Sequence, residues 1–373
     1  MKALIIEKEK LKHNIQAIKE HAKTSGRDDN GNYIKIIAVV KSNGYGLDIV
    51  KYTQFLIDNG IDYFAVATIE EALKLRQAGI KKEILMLSST AIEDDVKQLI
   101  ENNITITIGS KESAKVADKV GQDLKKKVKA HIKIDTGFGR YGFLYTDKDE
   151  IITTIKALKN VEIEGTYTHF SLAFYEKDEY THIQFRRFID VIEKMKNEKV
   201  NTGFLHVCNS SAFIKFPKMH LNAVRVGSAF TGRMPFTNDL GLQKVGYLES
   251  QVAEIKELPK DFNIGYSNSY TTTKNTKIAV IPVGYADGYN MVVDKDMFRN
   301  VDKLRYIVRD VKDAFKKQFL YVNIKNKNCE VLGRVGTFHI IADISGKDIK
   351  IGDKVKINVN PQFIDSGVRR EYK

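Results

Sequence analysis

Lys41 closes the apolar run IKIIAVVK (34–41), and the turn SNGYG, which holds Tyr45, follows at once. A lysine there has two readings. Its stem can lie along apolar surface with the ammonium in water. Alternatively, burial and neighbouring cations lower its pKa, and the free amine forms a Schiff base with an aldehyde. The amides of the glycine-rich turn and the Tyr45 phenol could then hold a phosphate. KIDTGFGRYG (133–142) brings Lys133, Asp135 and Arg140, and its GFGRYG fits G-x-G-x-x-G. That pattern is weak without its own βαβ unit and acidic partner, so the glycines read as letting Arg140 approach a site. His169 ends one strand-like run, and HVCNSSAF (206–213) offers His206, Asn209, Ser210 and Ser211 where a strand meets a helix. Hydroxyls at such a junction either bind phosphate or simply cap the helix. No G-x-S-x-G surrounds them, which argues against a serine nucleophile. Arg225, in NAVRVG, is either a buried ion-pair arginine or a donor to a heteroaromatic nitrogen.

The elements that must position these groups follow from periodicity. Short β-branched runs fall at 34–41, 63–68, 83–89, 104–109, 128–135, 161–170, 204–210 and 222–227. Amphipathic stretches separate them, among them 68–79, which opens on Thr68 as N-cap and ends at Gly79, 91–103, and one near 185. Eight strands alternating with helices match a (β/α)8 barrel, with a doubly wound open sheet as the alternative. In a barrel, functional groups gather at the C-terminal strand ends, where Lys41, Lys133, Arg140, His169, His206 and Arg225 all fall. From residue 243 onward the runs alternate with turn signals, which predicts a mostly β domain at 243–373 after a barrel at 1–242. A helical insertion at 301–319 interrupts it.

Composition narrows the classes. The chain has 373 residues, 43% apolar and 29% charged, with a net charge of +13. Its lysines are scattered among acids, as on a solvated face, so nucleic acid is not the expected partner. Lys125–Lys127 read as a helix end, and the basic surface suits an anionic cofactor or substrate. Cys208 and Cys329 are too few and too distant for a disulfide framework or a zinc site, so no metal is expected. No run approaches a membrane span, and the N-terminus makes a poor signal peptide; the expected location is the cytoplasm.

In order along nearly the whole length, AVVKSNGYG, KIDTGFGRYG, THF (168–170), HVCNSSA, VRVGSAFTG and IPVGYADGY (281–289) resemble blocks of the alanine racemase family. The resemblance implies a pyridoxal phosphate (PLP) enzyme with that family's barrel. Lys41 would hold PLP and act as one proton-transfer group, with Tyr266 in IGYSNSY as the other. Tyr45, Ser210, Gly227, Ser228 and Tyr285 would hold the phosphate, with Asn209 beside them. Arg225 would face the pyridine nitrogen, supported by His206, and His169 would contact the ring. Arg140 would sit near the phenolic oxygen and the substrate carboxylate. Lys133 matches a lysine carbamylated in many members. The resemblance further implies a homodimer in which the C-terminal domain completes the other subunit's site. Bases on opposite faces of a planar carbanion, an amine and a phenol, suit racemisation.

The chain departs from the family at GRVGTFH (333–339), where GRVSMDQ is usual. Thr337 and Phe338 replace a methionine and an aspartate that line the substrate side, and Ser366 falls near a family tyrosine. Alanine racemisation for peptidoglycan is the leading expectation. A serine or broad-specificity racemase and a non-catalytic PLP-binding protein are the alternatives.

Overall fold

In the computed structural model, which describes residues 2–26, 31–292, 300–314 and 320–373, all eight β-branched runs form strands. They are β1 (Lys35–Val39), β2 (Tyr63–Val66), β3 (Glu83–Ser89), β4 (Thr105–Ile108), β5 (Val128–Asp135), β6 (Val161–Tyr167), β7 (Phe204–His206) and β8 (Ala223–Val226). They lie in the order β4-β3-β2-β1-β8-β7-β6-β5, and β4 also pairs with β5, which closes a parallel barrel and excludes the open sheet. Alternate residues Ile37, Val39, Tyr63, Ala65, Leu85 and Ala223 form one buried cluster. The residues between them, such as Ala38, Phe64, Ile84 and Met86, are buried as well. Parallel strands covered by helices bury both faces, which explains why these runs are almost continuously apolar.

The helices start where their caps lie. Thr68 accepts from the Glu71 amide and starts Ile69–Gln77, and Ser110 and Ser113 form a reciprocal capping box at Lys111–Asp123. The strands are shorter than their apolar runs. The Val40 amide still donates to Ala65 O, but the Gly44 amide turns back to Val40 O. Lys41 therefore does not end a strand; it begins the helical turn Lys41–Tyr45. His169 likewise lies beyond β6, and Asn209 and Ser210 lie beyond β7 at the head of the helix Ser210–Lys215.

The chain divides into two units, Lys8–Val245 and a second made of Gly246–Lys373 together with the residues up to Glu7. This corrects the 242/243 boundary at both ends. The strand Ala3–Ile6 is fully buried, pairing antiparallel with Tyr247–Gln251 and parallel with Arg369–Tyr372. Pairing between such distant segments leaves no local signal. The second unit's nine-stranded sheet runs from Glu254–Leu258 through Thr276–Ile281, Ile340–Asp343, Lys327–Leu332, Tyr321–Ile324, Lys354–Asn358 and Tyr247–Gln251 to that terminal pair. The insertion forms the helix Asn300–Ala314, and residues 315–319 fall outside the described residues. Among the described residues no helix is long and apolar enough to cross a membrane.

Candidate active site

At the C-terminal strand ends of the barrel unit lies a cavity of about 260 Å³. Lys41, Tyr45, Lys133, Arg140, His169, Asn209, Ser210, Arg225, Gly227 and Ser228 all line it, together with Tyr141 and Tyr167.

Lys41 is presented by an unusual turn. Ser42, Asn43, Gly44, Tyr45 and Gly46 all have positive φ, between 52° and 82°, one left-handed turn. Left-handed backbone costs a non-glycine residue roughly 1–2 kcal/mol, so this turn has to be held. Glu71 holds it: Oε1 accepts from the Asn43 amide (3.1 Å) and Oε2 from the Ala67 amide (3.2 Å). Asn43 Oδ1 accepts from the Ile49 amide, and a Cβ at position 44 would lie 3.0 Å from the Tyr52 ring. Burial lowers the Lys41 pKa, Arg140 lowers it further, and Glu71 opposes them. Burial pushes Tyr45 up to about 12.

On β5, His131, Lys133 and Asp135 share the inward face. Lys133 is buried, with its ammonium 5.4 Å from the Tyr167 ring centre and 5.3 Å from that of Tyr141. Burial first, then Arg140 and Arg225, bring its pKa down to about 7. Asp135 accounts for the glycine pattern that follows it. Its Oδ1 accepts from the Gly137 and Phe138 amides and its Oδ2 from those of Gly139 and Arg140, at 2.8–3.0 Å. Burial alone would raise this carboxyl's pKa, but the four amides bring it below the usual range. The amides of GFGR thus wrap the chain's own carboxylate and are not offered to a dinucleotide.

Arg225 is buried and nearly saturated. Its Nη1 donates to His206 Nδ1 (2.7 Å) and His206 O (2.9 Å). Its Nη2 donates to Thr168 O (2.6 Å) and Val207 O (3.1 Å), with His169 Nδ1 at 3.4 Å. A guanidinium has five N–H groups and no acceptor. Only Nε–H is left without an acceptor among the described residues. Tyr167 lies under the guanidinium at 4.9 Å and stacks on His206 at 4.8 Å. Burial and the Arg225 charge hold both His169 and His206 well below the usual imidazole pKa.

The residues fit a phosphorylated pyridine aldehyde. The Ser210 hydroxyl oxygen accepts from the Gly227 and Ala229 amides at 2.9 and 3.4 Å, so its own hydrogen remains available to an anion. A Cβ at position 227 would lie 2.1 Å from the Tyr45 hydroxyl, so this corner of the cavity requires glycine. The amine of Lys41, a phosphate-sized donor corner and one arginine N–H line a single cavity. Asn209 turns elsewhere; its side chain caps the following helix and donates to Phe170 O.

Tyr266, Tyr285 and Thr337 belong to the second unit. Tyr266 is 73% exposed, between Gly265 and Ser267, both at positive φ. Tyr285 and Thr337 join hydroxyls at 2.7 Å. Ser366 is exposed, and its carbonyl accepts from Arg370. Sequence reasoning missed Glu71, His131 and Tyr167 as site-supporting residues. The T-x-x-E spacing of Thr68 and Glu71 and the two-residue alternation back from Lys133 were the available signals.

Residues 6–235 match the family model for the N-terminal domain of alanine racemase and residues 245–365 that for its C-terminal domain. An alanine racemase of Clostridium tetani is 33% identical over 94% of this chain and 84% of its own length. One from Methanococcus maripaludis is 36% identical over 75% of this chain and 76% of its own. The structure of the Clostridium difficile 630 alanine racemase superposes with a TM-score of 0.84 at 29% identity, covering 98% of this chain and 94% of that one.

Proposed function

The chain belongs to the alanine racemase family of PLP-dependent enzymes, and on that premise we propose that it interconverts L- and D-alanine by two-base proton transfer. When bound, PLP supplies an electron sink for the α-carbanion. Lys41 Nζ takes or returns the α-proton on one face; the observation that carries this reading is that Lys41 lines one cavity with Arg225, Ser210 and Gly227, and burial lowers its pKa towards the free amine. Tyr266 serves the opposite face. Its exposure suits a residue that completes the site of a second subunit in a homodimer. Ser210, Tyr45, Gly227 and Ser228 form the corner that holds the phosphate, with Tyr285 as a further phosphate ligand and Asn209 fixing the adjoining helix. Arg225 gives its remaining N–H to the ring nitrogen, and an arginine there keeps that nitrogen unprotonated. His206 supports Arg225, His169 packs against the ring, and Arg140 meets the substrate carboxylate. A carbamate on Lys133 orients Arg140. The D-alanine supplies cell-wall peptidoglycan from the cytoplasm.

A second substrate is favoured by one observation. Thr337 puts a hydroxyl beside that of Tyr285, where a polar side chain such as that of serine gains a partner. The test is α-proton exchange in deuterated water, followed by NMR, with PLP-loaded protein and a panel of L- and D-amino acids. Alanine inverting fastest is the expected result, and Tyr266→Phe should abolish most exchange from the L-enantiomer while PLP stays bound. Serine leading would redirect the substrate. No exchange with PLP bound would leave a non-catalytic PLP-binding protein.

A further inference from the structure

Behind His206 a line of buried polar side chains crosses the barrel interior, and its members beyond His206 have no part in the chemistry above. His206 Nε2 lies 2.8 Å from His131 Nδ1, and His131 Nε2 lies 3.1 Å from the Tyr63 hydroxyl. All three residues are buried. Near the Tyr63 hydroxyl lies Thr105, whose Oγ1 is 3.5 Å from Glu164 Oε2. Glu164 is paired in turn with Lys129 at 2.8 Å. The hydrogen-bonded line therefore starts at a guanidinium and ends at the Tyr63 phenol.

Its polarity follows from its first member. A guanidinium only donates, so the 2.7 Å contact with Arg225 needs a lone pair on His206 Nδ1. A neutral imidazole has one N–H, which must then lie on His206 Nε2 and point to His131 Nδ1. The same logic puts the His131 proton on Nε2, donating to the Tyr63 oxygen. The opposite polarity would set an N–H of His206 against an N–H of Arg225. A second proton on either ring is no escape. Burial and Arg225 hold His131 at about 3 and His206 well below the ordinary value.

We propose that His131 and Tyr63 are positioning residues that lock the His206 tautomer and, through it, the orientation of Arg225. The proposal rests on the reading that Arg225 faces the ring nitrogen. Inward alternation on β5 puts His131 two residues before Lys133, so one strand serves both the cavity and the line behind it.

Full-length protein with 15N-labelled histidine, as purified and after loading with PLP, tests the proposal by long-range 1H–15N NMR. His206 and His131 should both be neutral and protonated on Nε2 in both forms. His131→Leu removes the acceptor and should give His206 mixed tautomers. With PLP bound, kcat should fall roughly tenfold or more, the scale seen when a group that orients a functional histidine is lost, with KM little changed. His131→Gln retains an acceptor and a donor and should restore both the His206 tautomer and most of kcat. If His131→Leu fails to fold, Tyr63→Phe should give His131 itself mixed tautomers. A wild-type His206 protonated on Nδ1, or an unchanged His206 tautomer in His131→Leu, would overturn the proposal. So would an unchanged His131 tautomer in Tyr63→Phe. A wild-type protein with the tautomers as stated but no racemisation would overturn the functional reading alone.

Discussion

Glu71→Gln probes how the proposed cofactor lysine is presented. Three non-glycine residues, Ser42, Asn43 and Tyr45, hold positive φ in the turn after Lys41. At roughly 1–2 kcal/mol each, their strain is about 3–6 kcal/mol. Of the two backbone amides bound by the Glu71 carboxylate, only that of Asn43 lies in the turn, and it contributes about 1.5–3 kcal/mol. That offsets about half of the strain, so the turn leans on that carboxylate. Glutamine keeps one acceptor and turns an NH2 towards the other amide, losing about 1.5–3 kcal/mol. For a unit of this size each kcal/mol lowers Tm by about 2–4 °C, so the barrel transition should fall by roughly 3–12 °C. Calorimetry on PLP-free protein measures it. A shift below about 1 °C would refute the idea that Glu71 holds the turn. The same variant removes a charge that raises the Lys41 pKa, so reaction of that amine with PLP should extend to lower pH.

Two further outcomes follow from the same cavity. Lys133 drops from the ordinary 10.5 to about 7 in the fold, so between those values the unfolded chain binds the extra proton. This site therefore penalises the fold fully below about pH 7, and the penalty fades as pH rises towards 10.5. Urea midpoints measured without carbon dioxide should show that rise in the wild type and lose it in Lys133→Met; equal slopes would refute it. With 13C-labelled bicarbonate the neutral amine should add carbon dioxide, releasing a proton to solvent, and NMR should show a carbamate signal absent from Lys133→Met. Gly227→Ala places a Cβ 2.1 Å from the Tyr45 hydroxyl, closer than any real contact. PLP affinity should fall at least about tenfold, which is only ~1.4 kcal/mol. Undiminished affinity in an absorbance titration would remove Tyr45 and Gly227 from the proposed phosphate corner.

The eight barrel strands were legible because each buries both faces and so reads as a short β-branched run. Helix starts were legible where a side chain caps them, as at Thr68. Most residues lining the cavity were legible, Tyr167 excepted, because a parallel barrel brings every strand's C-terminal end to one side. The G-x-G-x-x-G segment shows where local pattern misleads. Its glycines permit a tight loop, but only Asp135 in three dimensions decides that the amides are already taken.

By itself the sequence determined which residue types could do chemistry, in what order, and on which kind of element, since these depend on periodicity and on neighbours a few positions away. Tertiary structure alone decided the rest. It moved Ala3–Ile6 into a sheet with strands more than 200 residues distant, because backbone pairing carries no address in the side chains. It imposed a left-handed turn on Lys41's neighbours, because a carboxylate 28 residues on offsets part of the strain. It also left one Arg225 N–H without an acceptor among the described residues and aligned two histidines behind it. Which hydrogen bonds a buried group has already made is a property of packing, and no spacing along the chain encodes it.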